Sequence, residues 1–361
     1  MELPLEEEAA LLRDSLRRYM DREYDFAARQ QRREQADGFS RKTWQELAEL
    51  GCVAAALPAA AGGFGFGPLG TLIVAEACGR ALVVEPWLAT GVLGAGALEL
   101  AGLAAPPALL PAVIAGRCLL AWAEGELRLD AHGRLAGCAA AVLHAGAADW
   151  FIVVAWSGPD AGQPELLLLP ATAPGLQLQR YTTPDGLPAA DLTCSGVAAG
   201  PAARLAAPGA AARLLERLHD RASAALCAEA VGAMDVLLAR TLAWLGTRQQ
   251  FGVPLAQFQA LRHRLADMAI ELEQARSLAL VAALHADDPD DASRRRHVSA
   301  ARAGVARAAR CVGQQAVQLH GGIGMTDALD VSHYFRRLTL LALAFGDEGQ
   351  HLDRYLEASG R

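Results

Sequence analysis

Two short segments of this 361-residue chain carry residue types suited to gripping a phosphate-bearing ligand. In RQQFG, residues 248–252, Arg248 offers a planar, permanently charged fork that matches a pyrophosphate. Phe251 adds an aromatic face, Gly252 allows a tight turn, and Gln250 is a further hydrogen-bonding side chain. In QLHGGIG, residues 318–324, Gln318 is followed by Gly321 and Gly322, which let the backbone approach a ligand and present N–H groups to it. Alone, RxxFG reads as an interhelical turn with a surface arginine, and GGxG occurs at many helix ends. The two together in one helical region, about seventy residues apart, narrow the reading.

A third stretch, FGDEGQHLDRYL, sets Asp347 and Glu348 before Gly349. Two adjacent carboxylates can move a proton, and equally they can start a helix, whose unpaired N–H groups attract negative charge. His320 has no carboxylate nearby in sequence to orient it, so it reads as a structural or cofactor-near residue. His333, Tyr334, Arg336 and Arg337 read as part of a helix face.

These residues must be carried by a framework, and composition bounds it. Hydrophobic residues make up 53% and charged residues 20%, the balance of a globular chain. The net charge is −7, with no basic run or interleaved aromatic stripe, which argues against a nucleic-acid partner. An anionic ligand therefore needs a local cluster of basic side chains. Seven widely spaced cysteines, none in a CxxC pair, fit neither a disulfide framework nor a zinc site, and are expected in a reducing cytoplasm. No metal site is expected. The N-terminal stretch MELPLEEEAALLRD is acidic where a signal peptide is basic. Residues 51–75 lack charge, but Pro58, Pro68 and GGFGFG read as a loop, so no membrane span is expected.

Along the chain, helical spacing runs from Leu5 to about Pro111, with Leu11, Leu12, Leu16 and Tyr19 on one pattern and Ser40 capping a helix that carries Trp44, Leu47 and Leu50. From about Val113 to Leu205, short apolar runs at residues 150–156, 165–169 and 176–181 are separated by turn residues, the pattern of strands. From Ala210 onward the chain is helical again, with Leu261, Leu265, Met268 and Leu272 on one face and DDPDD as a solvated interhelical loop. The expected domains are an N-terminal helical domain (1–112), a central β domain (113–208) and a C-terminal helix bundle (209–361).

With this order and these segments, the chain resembles the acyl-CoA dehydrogenase family over essentially its whole length. RQQFG, the following FQ, QLHGGIG and the N-terminal LPAAAGGFGFG carry the resemblance. It implies an α+β fold: N-terminal helices, a small central β-barrel or sandwich, and a C-terminal four-helix bundle. It implies FAD as cofactor, an acyl-CoA substrate and an electron-transferring flavoprotein as acceptor. It further implies that Arg248, Gln250, Phe251, Gln318, Gly321 and Gly322 hold the adenosine-diphosphate end of a flavin belonging to a neighbouring subunit.

The ring end of the flavin site departs from the family. The Thr-Glu-x-x-x-Gly-Ser-Asp-like loop is replaced by LAWAEGELRLD, which keeps only Glu124. Where relatives stack a tryptophan on the ring and hydrogen-bond it with a hydroxyl, Ala141 and Leu143 stand, and neither can do so. Glu348 and Asp347 are the candidate bases, displaced about three residues from the usual spacing, and the alternative family position on the preceding helix falls on Ala222. The expectation is therefore the small subunit of a heteromeric α2β2 dehydrogenase acting on pimeloyl-CoA-like or steroid thioesters. The alternatives are a self-tetramer using Glu348 as base and a structural subunit without flavin. A flavin monooxygenase on the same fold has no residue in its favour.

Overall fold

The computed structural model describes residues 6–158 and 162–360. The expected helical start at Leu5 thus lies outside the described residues. Six α-helices and a π-helical stretch open the described chain: α1 (Glu7–Glu23), α2 (Phe26–Arg33), α3 (Arg41–Glu49), α4 (Gly67–Ala81), the π-helical stretch (Trp87–Gly94), α5 (Ala95–Ala101) and α6 (Leu109–Ile114). Leu12, Leu16 and Tyr19 of α1 are buried as their spacing requires, whereas Leu11 faces out. Ser40 caps α3, its Oγ accepting from the Thr43 amide at 3.2 Å. The helix α4 starts at Gly67, so Pro68, read from sequence as part of a loop, falls in its first turn, where a missing N–H costs nothing.

Strands follow: β1 (Leu120–Leu129), β2 (Arg134–Leu143), β3 (Trp150–Ser157), β4 (Gln163–Pro170), β5 (Leu176–Thr182), β6 (Pro188–Ala198) and β7 (Arg204–Ala206). They form one mixed sheet in the order β5-β6-β2-β1-β3-β4-β7, with β1 and β3 parallel and the other neighbours antiparallel. The run FIVVA in β3 is fully buried, as a central strand's continuous apolar run requires. The edge strand β5 buries no residue fully, consistent with its alternating Leu and Gln.

The C-terminal part holds α7 (Ala210–Thr247), the short hairpin β8 (Gln249–Gln250) and β9 (Val253–Pro254), then α8 (Gln259–His285), α9 (Asp291–His320), α10 (Asp330–Leu341) and α11 (Glu348–Ala358). Asp290 of the DDPDD loop caps α9, accepting from the Ala292 amide at 3.0 Å. Among the described residues, α7 is the one helix long and apolar enough to cross a membrane, yet 78% of its most apolar window is buried inside the protein. It is a core helix by that measure.

The chain divides into two compact units. The sheet unit comprises residues 30–67 and 84–222, and its core packs Leu127, Leu135, Phe151, Leu167 and Leu192 within the sheet. The helical unit comprises the described residues of Met1–Arg29, Pro68–Val83 and Ser223–Arg361. Inside it α4 and α7 touch backbone to backbone. A Cβ on Gly79 would sit 1.9 Å from the Glu229 carbonyl oxygen, and one on Gly232 would sit 2.1 Å from that of Glu76. The neighbouring Glu229 carboxylate is buried and receives Arg337 of α10, Nε to Oε1, at 2.7 Å.

Alanine is the better helix former by about 1 kcal/mol, but at this crossing a methyl group meets backbone that cannot yield. Gly79→Ala and Gly232→Ala are each expected to lose a net 1–3 kcal/mol, roughly the cost of overpacking, in urea unfolding. Gly246→Ala, in the same α7 but facing open space, should be neutral or stabilising by up to about 1 kcal/mol.

Candidate functional site

The first segment lies at the C-terminal end of α7. Arg248 continues the last turn, its amide donating to the Trp244 carbonyl at 2.8 Å, while its own carbonyl accepts from Leu255 at 2.8 Å. Gln249 and Gln250 then pair with Pro254 and Val253, leaving Phe251 and Gly252 as the two residues of the hairpin turn. Both have positive φ, +56° at Phe251 and +81° at Gly252. That is the pattern of a type I′ turn, which matches the twist of a two-residue hairpin but strains any residue with a side chain. For Phe251 the left-handed conformation costs roughly 1–2 kcal/mol. Its ring is nevertheless 90% exposed, touching Phe258 edge-on at 6.1 Å. The side chain of Arg248 is exposed and makes no ion pair among the described residues. Gln250 donates from Nε2 to the Gln249 carbonyl at 2.9 Å.

The second segment ends α9. Gly321 takes φ +69° and ψ −151°, a region open essentially to glycine alone, and its amide closes the helix on the Val317 and Gln318 carbonyls. Gly322 has no positive φ, and a Cβ built on it meets nothing within 4 Å. Neither backbone conformation nor packing within this chain requires glycine there. Gly324, by contrast, is required by packing, since its Cβ would press on His320 and the Val317 carbonyl. The side chain of Gln318 is exposed.

A ring stack joins the two segments. Trp244, one turn before Arg248, lies on His320, two residues past Gln318, with centroids 5.3 Å apart and planes within 22°. His320 is buried and donates from Nδ1 to the Ala316 carbonyl at 2.8 Å. Burial holds its pKa below the ordinary 6.5, so the ring is neutral. The structure thus brings Arg248, Gln250, Phe251, Gln318, Gly321 and Gly322 to the joined ends of two helices. Nothing in the sequence pairs Trp244 with His320.

The two acids are engaged elsewhere in the same unit. Asp347 is the N-cap of α11 and forms a reciprocal capping box with Gln350, at 2.9 and 3.0 Å. Glu348 lies in the first turn and is paired with Arg310 of α9. The helix-start role weighed for both from sequence is the one the geometry displays. Arg337 belongs to the buried pair with Glu229, and Arg336 is bonded to Asp327.

In the sheet unit, the positions expected to face a flavin ring are apolar. Ala141 sits at a bulge of β2 with φ +53°, its amide donating to the Asp191 carboxylate at 3.0 Å. Glu124 accepts from Trp122 Nε1 at 3.1 Å and lies 2.8 Å from His219 Nε2. Burial pushes the Glu124 carboxyl up, but the His219 hydrogen bond and charge together with the Trp122 N–H outweigh it, so its pKa lies below the usual value. This trio went unseen in the sequence. Trp122 and Glu124 share a strand face two residues apart, but His219 is brought to them from α7. Ala222, the other family position for a base, is a buried methyl group. No cluster of three or more metal-ligating side chains occurs among the described residues.

Models of the acyl-CoA dehydrogenase N-terminal and C-terminal domains match residues 6–116 and 211–359. Acyl-CoA dehydrogenase IpdE2 of Mycobacterium tuberculosis is 31% identical over 313 residues, 83% of this chain and 81% of the relative. Acyl-CoA dehydrogenase FadE27 of the same organism is 29% identical over 335 residues, 88% and 87% of the two chains. Among solved structures, a chain of the ChsE4–ChsE5 complex from Mycobacterium tuberculosis superposes with TM-score 0.87 at 27% identity, covering 100% of this chain and 99% of that one. The Tcur3481–Tcur3483 steroid ACAD gives TM-score 0.85 at 29% identity over 98% of each chain. The chain belongs to the acyl-CoA dehydrogenase family of oxidoreductases.

Two outcomes follow from the site's physics. Because the unfolded chain protonates His320 near pH 6.5 while the folded chain resists, stability should fall as pH drops below about 6.5; in pH-dependent unfolding, His320→Phe should flatten that slope. Phe251→Gly removes left-handed strain and no buried contact. It should leave the lone chain's thermal stability unchanged or raised by up to about 1 kcal/mol.

Proposed function

We propose that this chain is the small subunit of a heteromeric acyl-CoA dehydrogenase and clamps the adenosine-diphosphate end of an FAD. The clamp consists of Arg248, Gln250, Phe251, Gln318, Gly321 and Gly322. One observation carries the reading: Phe251 is held strained yet exposed, beside an arginine without an ion pair and a glycine that this chain does not itself require. Strain retained at an exposed aromatic marks a binding position rather than a packing one. The donors also suit the group, with a guanidinium for pyrophosphate, open backbone at Gly322 and a phenyl face for the adenosine end.

When bound, FAD would supply the hydride acceptor for the substrate's β-carbon. The matching α-proton needs a free carboxylate. Here Asp347 caps a helix and Glu348 is paired with Arg310, so the base is assigned to a homologous larger subunit. The same subunit would supply the ring pocket that Ala141 and Leu143 cannot form. Similarity to the ChsE4–ChsE5 complex and to the Tcur3481–Tcur3483 steroid ACAD supports a two-chain assembly and a steroid or related lipid thioester as substrate. An electron-transferring flavoprotein is the acceptor in this reading, and the seven free cysteines fit a cytoplasmic setting.

Co-expression with the candidate partner tests the reading. The lone chain should purify with little flavin absorbance and no acyl-CoA dehydrogenase activity, and the complex with both. In the complex, Arg248→Ala and Phe251→Gly should each lower FAD content about tenfold or more. Full FAD and activity in the lone chain, abolished by Glu348→Gln, would favour the self-tetramer with Glu348 as base. A complex without flavin would leave only a structural subunit.

A further inference from the structure

The helical unit carries a cavity of about 840 Å³ that opens to solvent, and none of the clamp residues lines it. That volume is within the roughly 300–1,000 Å³ of pockets that take drug-sized ligands. Its floor is apolar, built from the buried side chains of Met20, Tyr24, Ile73, Leu82 and Val231.

The charged groups around the floor divide into committed and uncommitted ones. Asp235 of α7 receives both Arg80 of α4 and Arg276 of α8, and Arg276 also pairs with Glu76 and Glu273. Arg240 pairs with Asp330 at 3.3 Å. Asp25 accepts from the Ala28 amide at 2.7 Å. Helix α1 differs. It presents Arg13 and Arg17 to the cavity one turn apart, like charges that repel at this spacing. Arg13 meets only its neighbour Asp14, which does not line the cavity, and Arg17 has no ion pair among the described residues. Asp21, a further turn along, is the uncommitted acid.

We propose that this cavity is a second ligand site, for an amphipathic anion whose apolar body lies on the Met20–Val231 floor. Its single carboxylate-type group sits between Arg13 and Arg17. An anion there relieves the like-charge contact and gains charge-assisted hydrogen bonds from both guanidinium groups. Deeper in the cavity Arg29 is turned to the Leu82 carbonyl at 2.8 Å, and Arg80, Arg240 and Arg276 are paired with acids. Asp21 sets the limit of the anionic end by repelling it.

Decanoate and decanol, which share a chain length and differ in charge, are the probes, titrated into the full-length chain by calorimetry. Decanoate should bind saturably at one site per chain and at least several-fold more tightly than decanol. Arg17→Ala should weaken decanoate about tenfold and leave decanol unchanged. Arg18→Ala, whose guanidinium is turned to Ser15 and does not line the cavity, should change neither. Ala77→Met, which adds bulk to the cavity wall, should weaken binding of both, with the circular dichroism spectrum confirming the fold. Equal affinity for the two probes, decanoate binding unmoved by Arg17→Ala, or binding of both probes unmoved by Ala77→Met in a folded protein would each overturn the proposal.

Discussion

The stack of Trp244 on His320 is the contact on which the candidate clamp depends. A 38-residue helix such as α7 runs about 57 Å at 1.5 Å per residue, so a small change in its direction displaces its far end appreciably. The indole–imidazole contact fixes that end against the end of α9. The imidazole is held in place as Nδ1 donates to the Ala316 carbonyl, and burial disfavours its charged form. Arg248 and Gln318 then follow from chain geometry alone, one turn and two residues away from the stacked rings.

What surrounds the stack is divided between residues the fold requires and residues it does not. Gly252, Gly321 and Gly324 are glycine because backbone or packing demands it, and their presence says little about function. Gly322 and Phe251 are different. One is a glycine without a local reason, the other a bulky residue where glycine would be easier. A motif cannot separate these two kinds of position, since both read simply as conserved-looking letters in QLHGGIG and RQQFG. The dihedral angles and the space around each Cβ can.

The sequence was most legible where the physics is local. The cap at Ser40, the turn at DDPDD, the central run of β3 and the two ligand segments each follow from neighbours within a few residues. The α–β–α order follows from the change of period along the chain. Legibility ended where partners are distant in sequence. Glu124 is visible as a letter, but its bonds to His219 and Trp122 depend on how α7 meets the sheet. The Asp235 network, with ligands from α4 and α8, and the Gly79–Gly232 crossing are likewise products of helix packing, not of any segment's composition. Leu11 shows the converse limit: an apolar residue at helical spacing that faces outward because α1 needs only part of its apolar stripe.

The acids show most sharply how commitment to the fold constrains chemistry. A general base must keep a lone pair available to a substrate proton. Asp347 uses its carboxylate to accept from a backbone amide, and losing such a cap costs about 1 kcal/mol. Glu348 stands in the first turn of α11 and is paired with Arg310. Glu124 is held by two donors. For Glu124 the hydrogen bonds from His219 and Trp122 hold its pKa below the usual value, which makes it a poorer proton acceptor. Arg248 at the candidate clamp and Arg17 at the cavity, by contrast, make no ion pair among the described residues.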